Sequence, residues 1–420
     1  MTVSILTGPN ASAAVPLARR LKRSERARQI KALALILPLL LFLLFTFLGP
    51  IGGMVWRSVS DWEVRQAFPH TVVALASWDG KDLPDERTYA ALAGDVVAAN
   101  AVGTVAIAAK RLNYAQNGFR TILASTARNL KAVPEAGTAM ETLVQINPAW
   151  SERATWTTIK GASGPITGFY LLAALDLTRN ADGAIVDVPP DQAIYRDIFL
   201  RTFVICFSIT ALCLVLGFPV AYLLATLPPN RSNLLMIFVL LPFWTSLLVR
   251  LCAWIVLLQG NGVVNGGLQW LGIIDEPVRL IYNRFGVYVA MTHVLLPFMI
   301  LPLYSSMKTI SPAYMRAAAS LGASPVTAFR RIYLPQTLPG IGAGSLLVFI
   351  LALGYYITPA LVGGGSDQMI SSFIALYTTE TANWGLASAL GSILLLATVV
   401  LAVVYGKLVQ GQQVTGGMKN

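Results

Sequence analysis

His70 and His293 are the two histidines of this 420-residue chain, and Cys206, Cys213 and Cys252 are its three cysteines. A zinc site draws four ligands from such side chains and from carboxylates. All three cysteines lie inside apolar runs, so they read as small packing residues rather than metal ligands or disulfide partners. A phosphate cradle needs the spacing G-x-x-x-x-G-K-[ST]. The stretch Gly363-Gly364-Gly365-Ser366 lacks the lysine and reads as a flexible turn. No G-x-S-x-G elbow stands in a strand-turn-helix context. These patterns predict no catalytic residue, no metal and no cofactor on this chain, so an ATPase, if ATP powers it, is another polypeptide. Two intramembrane candidates remain. Arg250 is a lone charge in an apolar run, costing roughly 2.5–3.5 kcal/mol to insert. It either lines a polar path or pairs with a carbonyl or a neighbouring chain. His293, just before Leu295-Leu296-Pro297, reads as a neutral, hydrogen-bonded packing residue.

The most informative spacing runs from Ser311 to Pro335. Ser311 is an N-cap with Pro312 at the first helical position, and Gly322 is a C-terminal stop. Ser324 caps again before Pro325, and Leu334-Pro335 is expected to end a second helix. Ala317, Ala318, Ala319 and Gly322 are expected to form a smooth face that another surface can approach closely. The alternative is an amphipathic connector lying on the bilayer.

The elements that carry these residues follow from composition. Hydrophobic residues make up 55% and charged residues 12% of the chain, too few charges to cover a water-facing surface. Nucleic-acid binding and a cytosolic enzyme are therefore poor fits, despite a net charge of +11. Six stretches approach or exceed the roughly 20 apolar residues that a spanning helix needs. They are 32–56, 198–226, 232–258, 285–307, 340–362 and 384–407. No small-x-small cleavage site follows Trp56, so the first is expected to remain as an anchor.

Positive charge sets the direction. Arg19, Arg20, Lys22, Arg23, Arg26, Arg28 and Lys31 precede the first span and place segment 1–31 in the cytoplasm. Alternation then puts the loop 308–339, with Lys308, Arg316, Arg330 and Arg331, and the tail 411–420 on the same side. Asp275, Glu276, Asp367 and Glu380 fall outside. Segment 57–197 carries 13 Lys/Arg and 15 Asp/Glu and is expected to lie outside as a small α+β insert. Strands are expected at Thr71–Leu75 and Gly168–Leu172, and helices at Thr88–Arg111 and Phe119–Lys131. Turns are expected at Trp78–Lys81, Asn180–Gly183 and Pro189-Pro190.

Ala317-Ala318, then Gly322, then Ile332-x-Leu334-Pro335 resemble the "EAA" loop of binding-protein-dependent ABC importer permeases. The spacing fits throughout, but Arg316 stands where that family has glutamate. Within the family the likeness is to spermidine/putrescine-type permeases. It extends over Gly217–Ala225, Phe243–Arg250, Asn283–Gly286, Leu295–Met299 and Tyr356–Gly364. The insert 57–197 departs from the family pattern.

The resemblance implies an all-α polytopic protein with the six helices of the type I importer permease fold, the permease core being 198–410. It implies that Arg316, Ala317, Ala318, Ala319, Leu321, Gly322, Ala323, Ile332, Leu334 and Pro335 couple to ABC ATPase subunits, two copies, which hold the ATP and Mg. It also implies a second related permease, an external solute-binding protein and a bacterial inner-membrane location, with a small solute such as a polyamine as cargo. Trp244, Arg250, Trp254, Tyr355 and Tyr356 are the candidates for the translocation path. An ion-coupled carrier would instead need intramembrane acids or broken-helix ion sites, and a membrane-anchored sensor or enzyme would need a nucleophile–base set in 57–197. Neither is evident in the sequence.

Overall fold

The computed structural model describes residues 28, 31–135, 137–180 and 183–417, with side chains through Lys407. Arg19, Arg20, Lys22, Arg23, Arg26, Ala181, Asp182 and Lys419 lie outside them. Among the described residues, six helices are long and apolar enough to cross a membrane. The first is α1 (Lys31–Arg57), and a compact unit begins at Arg57. Helix α1 is apolar on all sides and exposed throughout, as a lipid-facing helix would be.

The stretch 57–197 is a helical body: α2 (Glu63–Ala67), α3 (Pro69–Ala76), α4 (Glu86–Val102), α5 (Val105–Ala115), α6 (Phe119–Asn129), α7 (Ala139–Ile146), α8 (Arg153–Gly161) and α9 (Phe169–Ala173). The expected α+β insert is corrected here. Both predicted strands are helical, and the sheet is one hairpin, β1 (Leu177–Arg179) against β2 (Ile185–Asp187), with Leu177 opposite Asp187. Thr71–Leu75 is a short apolar run in which helix and strand cannot be told apart by periodicity. Pro69 at the first turn decides it, and the helix buries Thr71 and Leu75 four residues apart on one face. The long predicted helix 88–111 breaks at Gly103, whose φ of 83° is left-handed. The core gathers Tyr89, Trp150 and Trp156. The Tyr89 hydroxyl donates to the Trp150 carbonyl at 2.7 Å and the Trp156 indole donates to the same oxygen at 3.0 Å. Trp150 in turn donates to Thr126 Oγ1 at 2.9 Å. These bonds satisfy the polar edges of buried rings.

The second part follows: α10 (Tyr195–Thr226), α11 (Pro229–Leu240), α12 (Leu247–Leu258), α13 (Val263–Trp270), α14 (Arg284–Lys308), α15 (Pro312–Ser320), α16 (Pro325–Gly354), α17 (Ile357–Val362), α18 (Ile370–Thr379) and α19 (Trp384–Gly417). Its centre is α14 held between α10 and α16 through small residues. A Cβ on Gly344 would meet Met299 Sδ at 2.8 Å, one on Gly340 would meet Ser306 Cβ at 2.5 Å, and one on Gly217 would meet Met299 Cγ at 3.2 Å. Close backbone approach is how helices associate where no hydrophobic drive separates them from lipid.

Two span boundaries differ from expectation. The third span is not one helix over 232–258: the chain breaks at a tight turn Leu241–Trp244 and an extended Thr245-Ser246, and the candidate span begins after the break and runs over Leu247–Trp270, taking in α12 and α13. Pro242 and the two hydroxyl residues explain the interruption. The fifth does not begin at 340 or run to 362. It starts at Pro325, stops at Gly354, and resumes after Tyr355-Tyr356 as α17.

Candidate functional site

The elbow is built by local chemistry. Ser311 Oγ accepts from the Ala313 N–H at 3.3 Å, and Ser324 Oγ accepts from the Thr327 N–H at 3.3 Å. Between them, Gly322 adopts φ 82°. The Ala323 N–H donates to Ala318 O and the Gly322 N–H to Ala319 O, both at 3.0 Å, the paired bonds of a Schellman stop. The second helix does not end at Leu334-Pro335, as expected. A π turn at Phe329–Tyr333 carries the chain past Pro335, with the Leu334 N–H reaching back five residues to Phe329 O. The same device precedes Pro50 in α1, where Gly49 bonds Leu44 O. One extra residue per turn removes the clash between a proline ring and the carbonyl four residues earlier.

Exposure sorts the coupling candidates. Arg316, Ala317, Ala319, Gly322 and Pro335 are exposed; Ala323, Ile332 and Leu334 are half-buried. Leu321 is 88% exposed, and Tyr314 and Val326 of the same segment are exposed as well. Ala318 is corrected: at 4% exposure it faces the protein and is no part of the open face. An alanine run does not reveal which member points inward.

The sequence also missed what holds the elbow. Tyr333 packs edge-on to Tyr222 at 5.3 Å and stacks on Phe329 at 5.6 Å, while Phe218 meets Phe329 at 6.2 Å. These rings fix the base of α16 on α10. The spacing of Phe218 and Tyr222, one helical turn apart, was the available signal.

The path candidates divide. The Trp254 indole donates to His293 Nδ1 at 3.1 Å, so His293 is an accepting, packed residue as expected. Arg250 lies within electrostatic reach of both His293 and Tyr355. Its Nε and Nη1 are enclosed and make no hydrogen bond within the described residues. Trp244, 86% exposed, sits at the break of the third span, and Tyr356, also exposed, at the break after Gly354. Broken helices, not evident in the sequence, are therefore present, but no carboxylate lies within the described spans beyond Asp197 in the first turn of α10. At the other end of α14, Asn283 Oδ1 caps the Gly286 N–H at 3.0 Å and Arg284 Nε meets Asp367 at 3.1 Å. His70 pairs with Asp95 at 2.8 Å on the insert surface. Among the described residues, no cluster of three His, Cys, Asp or Glu is placed to hold a metal.

The insert is joined to the helices 195–417 by side chains as well as by the chain. Buried Asp176 accepts from the N–H groups of Ile194 and Tyr195 at 3.0 Å and of Arg196 at 2.7 Å, capping α10 from upstream. The Tyr195 and Tyr377 hydroxyls share a 2.6 Å bond, and Lys110 donates to Ala382 O at 3.3 Å.

Residues 194–413 match the family described as binding-protein-dependent transport system inner membrane component. The chain is similar to the spermidine/putrescine transport system permease protein PotB of Escherichia coli (strain K12), 35% identical over 212 residues, which are 50% of this chain and 77% of that protein. PotB of Haemophilus influenzae is 36% identical over 196 residues, 47% of this chain and 68% of that one. The inner membrane ABC transporter permease protein YdcU of E. coli is 35% identical over 181 residues, 40% and 57% respectively. Among solved structures, a chain of a bacterial ABC transporter involved in the import of the acidic polysaccharide alginate aligns at 20% identity and a TM-score of 0.38, over 50% of this chain and 78% of that one. The family match leaves the insert outside it.

Proposed function

The chain belongs to the binding-protein-dependent transport system inner membrane components, and from that premise we propose how it works as the permease subunit of an ABC importer. The carrying observation is that α16 is one helix from the elbow to the break at Tyr355. Its 30 residues span about 45 Å at 1.5 Å per residue. A displacement imposed on Leu321, Ala317 and Ala319 is thus delivered to the break whose Tyr355 lies within reach of Arg250. In this reading two separate ATPase subunits hold ATP and Mg and grip the elbow. Arg316, in the place of the family's glutamate, changes the sign of the polar contact and leaves the apolar one around Leu321. The basic residues of 308–339 support a cytoplasmic elbow and cytoplasmic termini. The insert then lies outside, where it docks an external solute-binding protein. A second, related permease chain completes the pathway.

The solute we propose is a polyamine, on the strength of the relatives' names. Arg250 favours a second reading, because a lone cation in an acid-free path repels a polycation and suits a nitrogenous solute that carries a carboxylate. ATP-dependent uptake of labelled spermidine into cells expressing the system tests both. Saturable uptake competed by putrescine supports the polyamine; competition only by zwitterionic amines supports the second reading. Gly322→Trp is expected to abolish uptake while ATP hydrolysis and membrane insertion persist, and normal uptake by that variant counts against the elbow as the coupling element.

A further inference from the structure

The insert contains a cleft of about 900 Å³, large for a small-molecule site. It lies between the turn Asp79–Lys81, the end of α5, helix α8, and the segment running from Ile166 through α9 and β1. Among the described residues its charge is one-sided. Lys81, Arg111, Arg153, Lys160 and Arg179 line it against a single described acid, Asp79. Asp79 is already engaged, its Oδ1 accepting from the Lys81 N–H at 3.0 Å.

The basic groups are held in different ways. Arg111 is 1% exposed; its guanidinium contacts Asp61 Oδ2 through Nη2 at 2.6 Å and through Nε at 2.8 Å, and lies 4.2 Å over the Phe169 ring. Its Nη1 is enclosed and makes no hydrogen bond within the described residues. The Lys160 ammonium donates to the Trp78 carbonyl and sits 5.5 Å over the Trp78 ring. Arg153 donates to Gly80 O at 2.5 Å and braces the turn. Lys81, in the turn, and Arg179, at the end of β1, both line the cleft and are exposed. Phe169 and Leu172 add an apolar wall.

We propose that this cleft binds a small organic polycarboxylate, its carboxylates on Lys81, Arg179 and Lys160 and its carbon skeleton against Phe169 and Leu172. A planar, multi-donor guanidinium and a mobile ammonium on two different elements of one cleft suit a ligand with two or more separated carboxylates. The excess of positive charge makes the cleft unsuitable as a waiting site for a cationic solute. The site is thus distinct from the translocation path. Its floor leads to the permease part: the Arg111 guanidinium also lies 5.0 Å over Tyr170, and the Tyr170 ring fills the space a side chain at Gly385 would occupy.

Isothermal titration of the full chain in nanodiscs, with citrate as the probe, tests the site. Citrate is expected to bind saturably, and Lys81→Ala with Arg179→Ala is expected to weaken it by about tenfold or more, as the loss of two charge-assisted contacts requires. Both residues are exposed, so the thermal unfolding temperature should not move. No saturation below about 10 mM citrate, a range in which even weak specific sites fill, would overturn the proposal. Equal affinity in the double variant would do the same. The readout does not depend on transport, so it stands or falls separately from the importer reading.

Discussion

Asp61 and Arg111 form an ion pair of which both side chains are almost fully enclosed. Removing one partner of such a pair leaves an uncompensated buried charge, at a cost of about 3–5 kcal/mol. Asp61→Ala is therefore expected to loosen the insert while leaving the spans intact. Hydrogen exchange of the full chain checks this: protection should fall around Arg111, Phe169 and Tyr170 and hold in α14. Asp85 provides a gentler case. Its carboxylate caps α4, accepting from the Thr88 hydroxyl at 2.6 Å and from the Thr88 N–H at 3.1 Å. The hydroxyl bond, above all, holds its pKa below the usual 3.8. A lowered folded pKa stabilises above the unfolded value and is lost as pH falls through the folded one. Asp85→Ala should thus cost about 1 kcal/mol near neutral pH, within the range for N-caps. The difference from wild type should shrink below about pH 3.8, as followed by exchange protection of α4.

Among the elements, the elbow was the most legible in the sequence because its grammar is local. Ser311, Pro312, Gly322, Ser324 and Pro325 each act within one or two turns, and each does what its type predicts. Three features were not legible, for physical reasons. Thr71–Leu75 has no alternation to separate strand from helix. Which of three consecutive alanines turns inward depends on tertiary packing that local spacing does not encode. Pro335 ordinarily ends a helix, and only a π turn lets α16 run on. The continuity of α16 is open to test. Gly340→Leu would drive a side chain into Ser306 and is expected to separate α16 from α14 at that level. ATPase association, measured by copurification, should survive, because the elbow is untouched, while uptake should fall by about tenfold or more, the effect of misplacing a coupled element by about 1 Å.

On the scale of the whole molecule, composition and charge predicted a polytopic chain with a hydrophilic insert, and the six candidate spans agree in number. The side-chain bonds between insert and permease part could not be read beforehand, since their partners lie up to 272 positions apart in the chain. If the insert docks a solute-binding protein, a photo-crosslinker at Val102, which is 77% exposed at the end of α4, should capture that protein in the intact assembly. Capture absent at both Val102 and the exposed Val133 would assign the insert a bracing role instead. The carboxylate of Asp176 adds a matter of timing. It precedes the helix it caps, and the hairpin β1–β2 lies between the two in the chain. As the chain leaves the ribosome, the insert therefore appears first and presents a finished template on which the opening turn of α10 can wind. Asp176→Ala should accordingly show itself during biogenesis, as slower acquisition of protease resistance after a pulse of synthesis, more than in the mature protein.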